Sequence, residues 1–149
     1  HTTTAAGAVV RLINMGVEPY LINSSLVCVI AQRLVRKICL YCKESYFFKD
    51  EIAQSLKLDM SKIGKLQFYK GKGCQHCFNS GYSGRTVIAE ILQISQKIRD
   101  LILAGSQEQF IKQQARKEGM KTLREDGLEA VLKGYTTIEE VLRVTAPDE

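Results

Sequence analysis

The sequence predicts an α/β protein: apolar strands frame a small inserted cysteine-bearing subdomain, and helices close the chain. Three observations carry this expectation. Residues 26–38, "LVCVIAQRLVRKI", form an apolar run rich in β-branched residues, as a buried strand requires. Residues 39–80 hold four of the five cysteines. Beyond Ile94 the chain reads as successive segments of helical period, the first three ended by Gly and the last opened by a Thr cap.

Taken in order, "TTAAGAVVRLINMG" (3–16) predicts a helix, with Thr3 or Thr4 as cap, an apolar stripe of Ala8, Val9, Leu12 and Met15, and Gly16 as the stop. "EPYLINSS" (18–25) places Pro early and reads as a short helix. The 26–38 strand follows, with Cys28 expected as a buried core thiol. Within 39–80, "KDEIAQSLKL" (49–58) is a polar helix candidate and "KLQFYKG" (65–71) alternates like a strand. "GYSGRTVIAEILQI" (81–94) is a Gly-rich turn leading into a return strand. Helices are then expected over 95–105, 106–119, 121–134 and 136–144, the third with a stripe of Leu123, Leu128, Val131 and Leu132. The implied domains are 1–38, the inserted 39–80, and 81–149 with its helical end.

Length and composition bound the function. A chain of 149 residues with 45% hydrophobic and 25% charged residues is an ordinary globular domain. No apolar run approaches the roughly 18–20 residues that cross a bilayer. The start "HTTTAAGAVV" has neither Met nor a basic n-region, so it is no signal peptide and reads as the interior of a longer protein. The net charge of +5 sits in the first half and forms no dense Lys/Arg stripe with aromatics, so no direct nucleic-acid partner is expected. The odd cysteine count and two Cys-x-x-Cys pairs point away from a secreted disulfide scaffold and toward a metal in a reducing, cytoplasmic setting.

Those pairs are Cys39/Cys42 and Cys74/Cys77, with 31 residues between Cys42 and Cys74. Two residues between ligands let both sulfurs of a pair face one ion, and four thiolates complete the shell of a structural zinc site. An iron site of rubredoxin type uses the same pattern, thiol–disulfide redox chemistry is a third reading, and His76 stands as a substitute for one cysteine. A filled shell leaves no open position, so the metal is expected to hold structure and not to catalyse. Lys37, Lys43 and Lys72 lie close in sequence and would offset the shell's negative charge.

Several motifs together resemble one family. "HTTTAAGAVVRLINMG", "AQRLVRKICLYCK", "GCQHCFNSGYSGRTVIAEIL" and "LREDGLEAVLKGYTTIEEVLRVT" closely resemble the C-terminal part of the secretion ATPases of type II secretion systems and type IV pilus assembly (the GspE/PilB family) over nearly the whole chain. The resemblance implies the C-terminal part of a RecA-like P-loop ATPase domain, carrying the inserted zinc subdomain and a C-terminal helical bundle. It implies a hexamer at the cytoplasmic face of the inner membrane, partnered by a platform protein and by the cytoplasmic domain of a membrane-anchored secretion or pilus component. ATP and Mg²⁺ would belong to the full-length protein, since G-x-x-x-x-G-K-[ST] occurs nowhere in these residues and the chain alone is expected to be inactive.

By the same resemblance, His1 matches the His-box histidine near the nucleotide, although as the first residue here it also reads as a plain N-terminus. Arg33 and Arg36 come from the QRLVR motif, with a subunit interface, the metal lobe or a solvated face as alternatives. Gly81, Gly84 and Arg85 match a GY.GR turn, and Glu90 is a candidate partner for Arg85. Thr3, Ser80, Val87 and Ala89 depart from the family pattern. The alternative function is a stand-alone zinc-ribbon-like module that binds nucleic acid or protein, and a thiol oxidoreductase is the third.

Overall fold

The computed structural model describes residues 2–47 and 67–147. Among these it is a mixed α/β chain of six α-helices and four strands. The helices are α1 (Ala5–Asn14), α2 (Pro19–Ser25), α3 (Gln96–Leu103), α4 (Glu108–Lys117), α5 (Leu123–Leu132) and α6 (Ile138–Val144); the strands are β1 (Cys28–Ile38), β2 (Lys43–Phe47), β3 (Gln67–Gly71) and β4 (Tyr82–Gln93). All but β2, a strand that the sequence reading did not anticipate, fall within a segment expected from the sequence. The candidate helix at 49–58 and His1 lie outside the described residues. None of the described helices is long and apolar enough to cross a membrane.

By internal contacts the chain forms two compact units. The first comprises the described residues of His1–Arg33, Ile88–Asp126 and Thr145–Glu149; the second, those of Leu34–Val87 and Gly127–Val144. The first unit buries Ala5, Ala6 and Val9 of α1 with Ile22, Leu92, Ile94, Ile98, Ile102, Ile111 and Ala115. Ala5 and Ala6 are fully buried, and small side chains there let a helix backbone approach its neighbours closely. The N-terminus of α1 is closed by side chains: Thr4 accepts from the Gly7 N–H at 2.9 Å, and the buried Glu90 accepts from the Ala5 N–H at 2.7 Å. A carboxylate there satisfies an orphan donor and lies at the favourable end of the helix dipole. Ser95 caps α3 by accepting from Ile98 N–H, and Gly119 at φ +97 ends the turn after α4.

The second unit is built on the antiparallel pair β2–β3, in the register Lys43↔Gly71, Ser45↔Tyr69 and Phe47↔Gln67. Among its described residues Phe68 forms a core cluster with Val131, Ile138 and Val141, flanked by Tyr46 and Leu142.

Four expectations are corrected. β1 is not buried on both faces: it pairs with β4 in a two-stranded sheet, and its residues alternate in exposure with the period of the pleat. Cys28 falls on the open side together with Ile30 and Leu34, so it is exposed and not a core thiol. On α5, Leu123 and Val131 are buried but Leu132 is exposed, because positions 131 and 132 are a hundred degrees apart on a helix. Glu90 is engaged by the Ala5 N–H, where the sequence offered Arg85 as its partner.

Candidate metal centre

The four cysteines come together in the second unit. Cys39 directly follows β1, and its N–H donates to the Gly81 carbonyl at 3.0 Å. Cys42 follows a tight turn, with its own N–H 3.4 Å from the Cys39 carbonyl. The second pair flanks a short 3₁₀ turn, Gln75–Cys77. Cys77 N–H donates to the Cys74 carbonyl at 3.2 Å and Asn79 N–H to the same oxygen at 2.9 Å. This reversal needs left-handed backbone at Phe78 (φ 50) and Asn79 (φ 59), and Gly73 and Gly81 supply two further positive φ values.

The backbone approach is close. A Cβ on Gly81 would lie 2.6 Å from the Gly71 carbonyl oxygen, and one on Gly71 would run into Gly81 itself. Only glycine at both positions lets the end of β3 pass against the entry to β4, which sets the two cysteine pairs side by side.

All four sulfurs lie within 4.8 Å of one another. Cys39–Cys74 is 3.9 Å, Cys42–Cys77 3.8 Å and Cys74–Cys77 3.7 Å. Sulfurs at the corners of a tetrahedron around an ion about 2.3 Å away are roughly 3.8 Å apart, so the spacing fits a tetrathiolate metal site. A disulfide would bring two of them to about 2.0 Å. Backbone N–H groups aim at the sulfurs: Gly73 at Cys42 (3.3 Å), and Cys74 and Gly81 at Cys77 (3.2 and 3.3 Å). Burial works against ionisation of Cys77, but these two N–H groups and the neighbouring thiols outweigh it and bring its pKa to about 6. At Cys42 burial prevails and pushes the thiol up to about 12. The donor set and its N–H···S contacts are those a bound divalent ion would use, so this cluster could hold a metal such as zinc.

His76 is turned away from the cluster's sulfur set and stacks on Tyr41, with ring centroids 4.0 Å apart. Lys43 does not serve as a free counter-charge: its ammonium donates to the Gly134 carbonyl at 2.7 Å and sits 4.3 Å from the Tyr69 ring centre. Leu40, Tyr41 and Phe78, at the tips of the two knuckles, are all exposed.

The QRLVR arginines have separate tasks. Arg33 donates to the Thr2 carbonyl at 3.1 Å and the Gln32 carbonyl at 2.9 Å. Arg36 engages a residue that sequence reasoning missed. Glu140, almost wholly buried, accepts from Arg36 Nη2 (2.6 Å), the Arg36 backbone N–H (2.9 Å), Arg143 Nε (3.1 Å) and Arg143 Nη2 (2.9 Å). Burial opposes its ionisation, yet these donors hold its pKa at about 2. Arg36 also lies over the Tyr82 ring, 4.2 Å from its centre. The signal was a three-residue Glu–Arg spacing at the end of the chain, from Glu140 to Arg143.

Comparison with known proteins then bears on the whole chain. The type II/IV secretion system protein family matches residues 1–143. The type IV pilus assembly ATPase PilB of Thermus thermophilus is 47% identical over 97% of this chain and 16% of its own length. The type II secretion system ATPase E of Vibrio cholerae is 45% identical over 97% of the chain and 28% of its own length. The type II secretion system protein E of Pseudomonas aeruginosa is 43% identical over the same shares. The chain thus spans between 16% and 28% of the length of these relatives.

Proposed function

The chain belongs to the type II/IV secretion system protein family, and from that premise we propose that it is the distal part of a hexameric, RecA-like ATPase powering type II secretion or type IV pilus assembly. The observation that carries this reading is the breadth of the match: secretion and pilus ATPases both align across 97% of the chain at 43–47% identity. The phosphate loop, ATP and Mg²⁺ belong to the remainder of such a protein, and His1 takes the His-box position beside the nucleotide. The partners are the inner-membrane platform protein and a membrane-anchored component, engaged from the cytoplasmic side.

Within that machine Cys39, Cys42, Cys74 and Cys77 hold one structural zinc ion. When bound, the ion supplies a four-way cross-link and no catalytic position. The chain's own residues prepare the site: Gly73, Cys74 and Gly81 N–H groups stabilise thiolate charge, and Gly71 and Gly81 permit the backbone crossing. The domain plan that goes with this is 1–38 as the end of the ATPase core, 39–80 as the zinc lobe and 81–149 as the return strand and helical subdomain.

The test compares the full-length protein with the 149-residue chain. Magnesium-dependent ATP hydrolysis is expected from the former and none from the latter. Absence of hydrolysis in the full-length protein, or turnover by the chain alone, would overturn the reading. Salt-sensitive DNA binding by the chain at physiological ionic strength would instead favour a binding module.

A further inference from the structure

In the second unit a cavity of about 520 Å³ is lined by Leu34, Arg36, Arg85 and Arg143. Three of its four lining residues carry a guanidinium, and none is acidic. We propose that this cavity is a binding site for a phosphate group, held by Arg36, Arg85 and Arg143 together. The inference is independent of the zinc site and of the ATPase reading.

The first argument is charge. Glu140 offsets one of the three guanidinium charges and leaves a surplus of two, which matches a phosphate monoester dianion. Glu140 itself is buried and spends its carboxylate oxygens on four donors from Arg36 and Arg143. It is therefore the fixture for two of the arginines and not a competitor for the third. Like guanidinium charges gathered around one open space repel, and an anion between them removes that cost.

The second argument is geometry. Each guanidinium offers five N–H donors in a rigid fork. Only Arg36 Nη2, Arg143 Nε and Arg143 Nη2 are engaged by Glu140. The free donors of Arg36 and Arg143 and the whole fork of Arg85 remain, and no side-chain hydrogen bond or ion pair of Arg85 is found among the described residues. Arg36 is further fixed over the Tyr82 ring, whose hydroxyl is 2.9 Å from Thr137 Oγ1. Two of the three forks are thus preorganised before any ligand arrives, which lowers the ordering cost of binding. A planar carboxylate is satisfied by two forks, as Glu140 shows. A tetrahedral phosphate presents three oxygens in three directions and uses all three.

The experiment titrates the chain with inorganic pyrophosphate by calorimetry, and in a second arm measures sedimentation with vesicles of phosphatidylcholine containing phosphatidic acid. The first arm reads a free phosphate source, the second a lipid headgroup. Arg85→Gln is the main variant, because Arg85 has no described partner and its loss should leave Tm unchanged; Arg85→Lys keeps the charge and loses the fork. Saturable binding in either arm, weakened about tenfold or more by Arg85→Gln and less by Arg85→Lys, is the expected result. No binding in both arms, binding indifferent to Arg85→Gln, or capture only of an acidic peptide such as oligoglutamate would overturn the proposal.

Discussion

Among the described residues of the second unit, Glu140 is the buried carboxylate, and its energetics follow from its surroundings. Its carboxylate is depressed from 4.5 to about 2 by hydrogen bonds from Arg143 and Arg36 that overcome burial. A depressed acid contributes stability that is fully present above the unfolded pKa and lost as pH falls through the folded one. The shift corresponds to about 3 kcal/mol, so the wild type should lose that much between roughly pH 5 and pH 2. Glu140→Gln should be less stable at neutral pH by about 2–4 kcal/mol, since it leaves two arginines without their anion. The gap between the two proteins should narrow as pH falls toward 2. Urea denaturation at several pH values checks this, and parallel pH dependences would refute it. The same position shows where sequence reading stops. Thr122-x-x-Glu125 and Thr137-x-x-Glu140 are identical as patterns, and the first forms a reciprocal capping box, Thr122 N–H to Glu125 and Glu125 N–H to Thr122. In the second only Thr137 caps; Glu140 turns to the arginines. Which use a glutamate finds depends on residues a hundred positions away, and local spacing carries no trace of them.

At the scale of elements, the order of helices and strands was legible because caps, glycine stops and apolar periodicity are local. Faces were less so. β1 looked buried throughout because its run is apolar, but strand alternation and a single paired neighbour leave Cys28, Ile30 and Leu34 open. The cysteine cluster was legible from spacing, while the backbone crossing that assembles it was not. Gly71 and Gly81 form that crossing, and each excludes the other's Cβ. Gly81→Ala adds a methyl at φ +77, 2.6 Å from the Gly71 carbonyl, and should destabilise the second unit by about 2–3 kcal/mol. Gly84, also at positive φ but in open space, should cost only the left-handed penalty of about 1 kcal/mol on mutation to Ala. Thermal unfolding of the two variants separates clash from conformation. Equal losses would mean that the crossing is not tight. If the four thiolates hold zinc, a chelator at neutral pH should first expose the β2–β3 ladder to hydrogen exchange, while amides of α1, α3 and α4 stay protected, because metal binding is coupled to folding of its ligands. Simultaneous loss of protection everywhere would contradict this.

For the whole molecule, the proposed function raises the question of what a closed metal site would do in a motor. The family match explains why the chain carries these motifs but not why one unit should be stapled. Among the described residues, the second unit shows a core cluster of Phe68, Val131, Ile138 and Val141. A four-thiolate ion, once bound as proposed, would cross-link that unit without adding any reactive group. On this reading the zinc matters to force transmission: a lobe that yields under load absorbs the work of hydrolysis where a stapled one passes it on. Cys74→Ser removes one ligand and should lower the zinc content of the chain well below one equivalent by elemental analysis. In the full-length protein the same change should leave nucleotide binding within about twofold and reduce export or pilus extension by at least about tenfold, the size expected when a metal's support is lost. Unchanged export with a zinc-free lobe would show that the staple serves folding alone. Loss of nucleotide binding together with export would instead place the defect in the ATPase core, and complementation assays run beside nucleotide-affinity measurements tell the three outcomes apart.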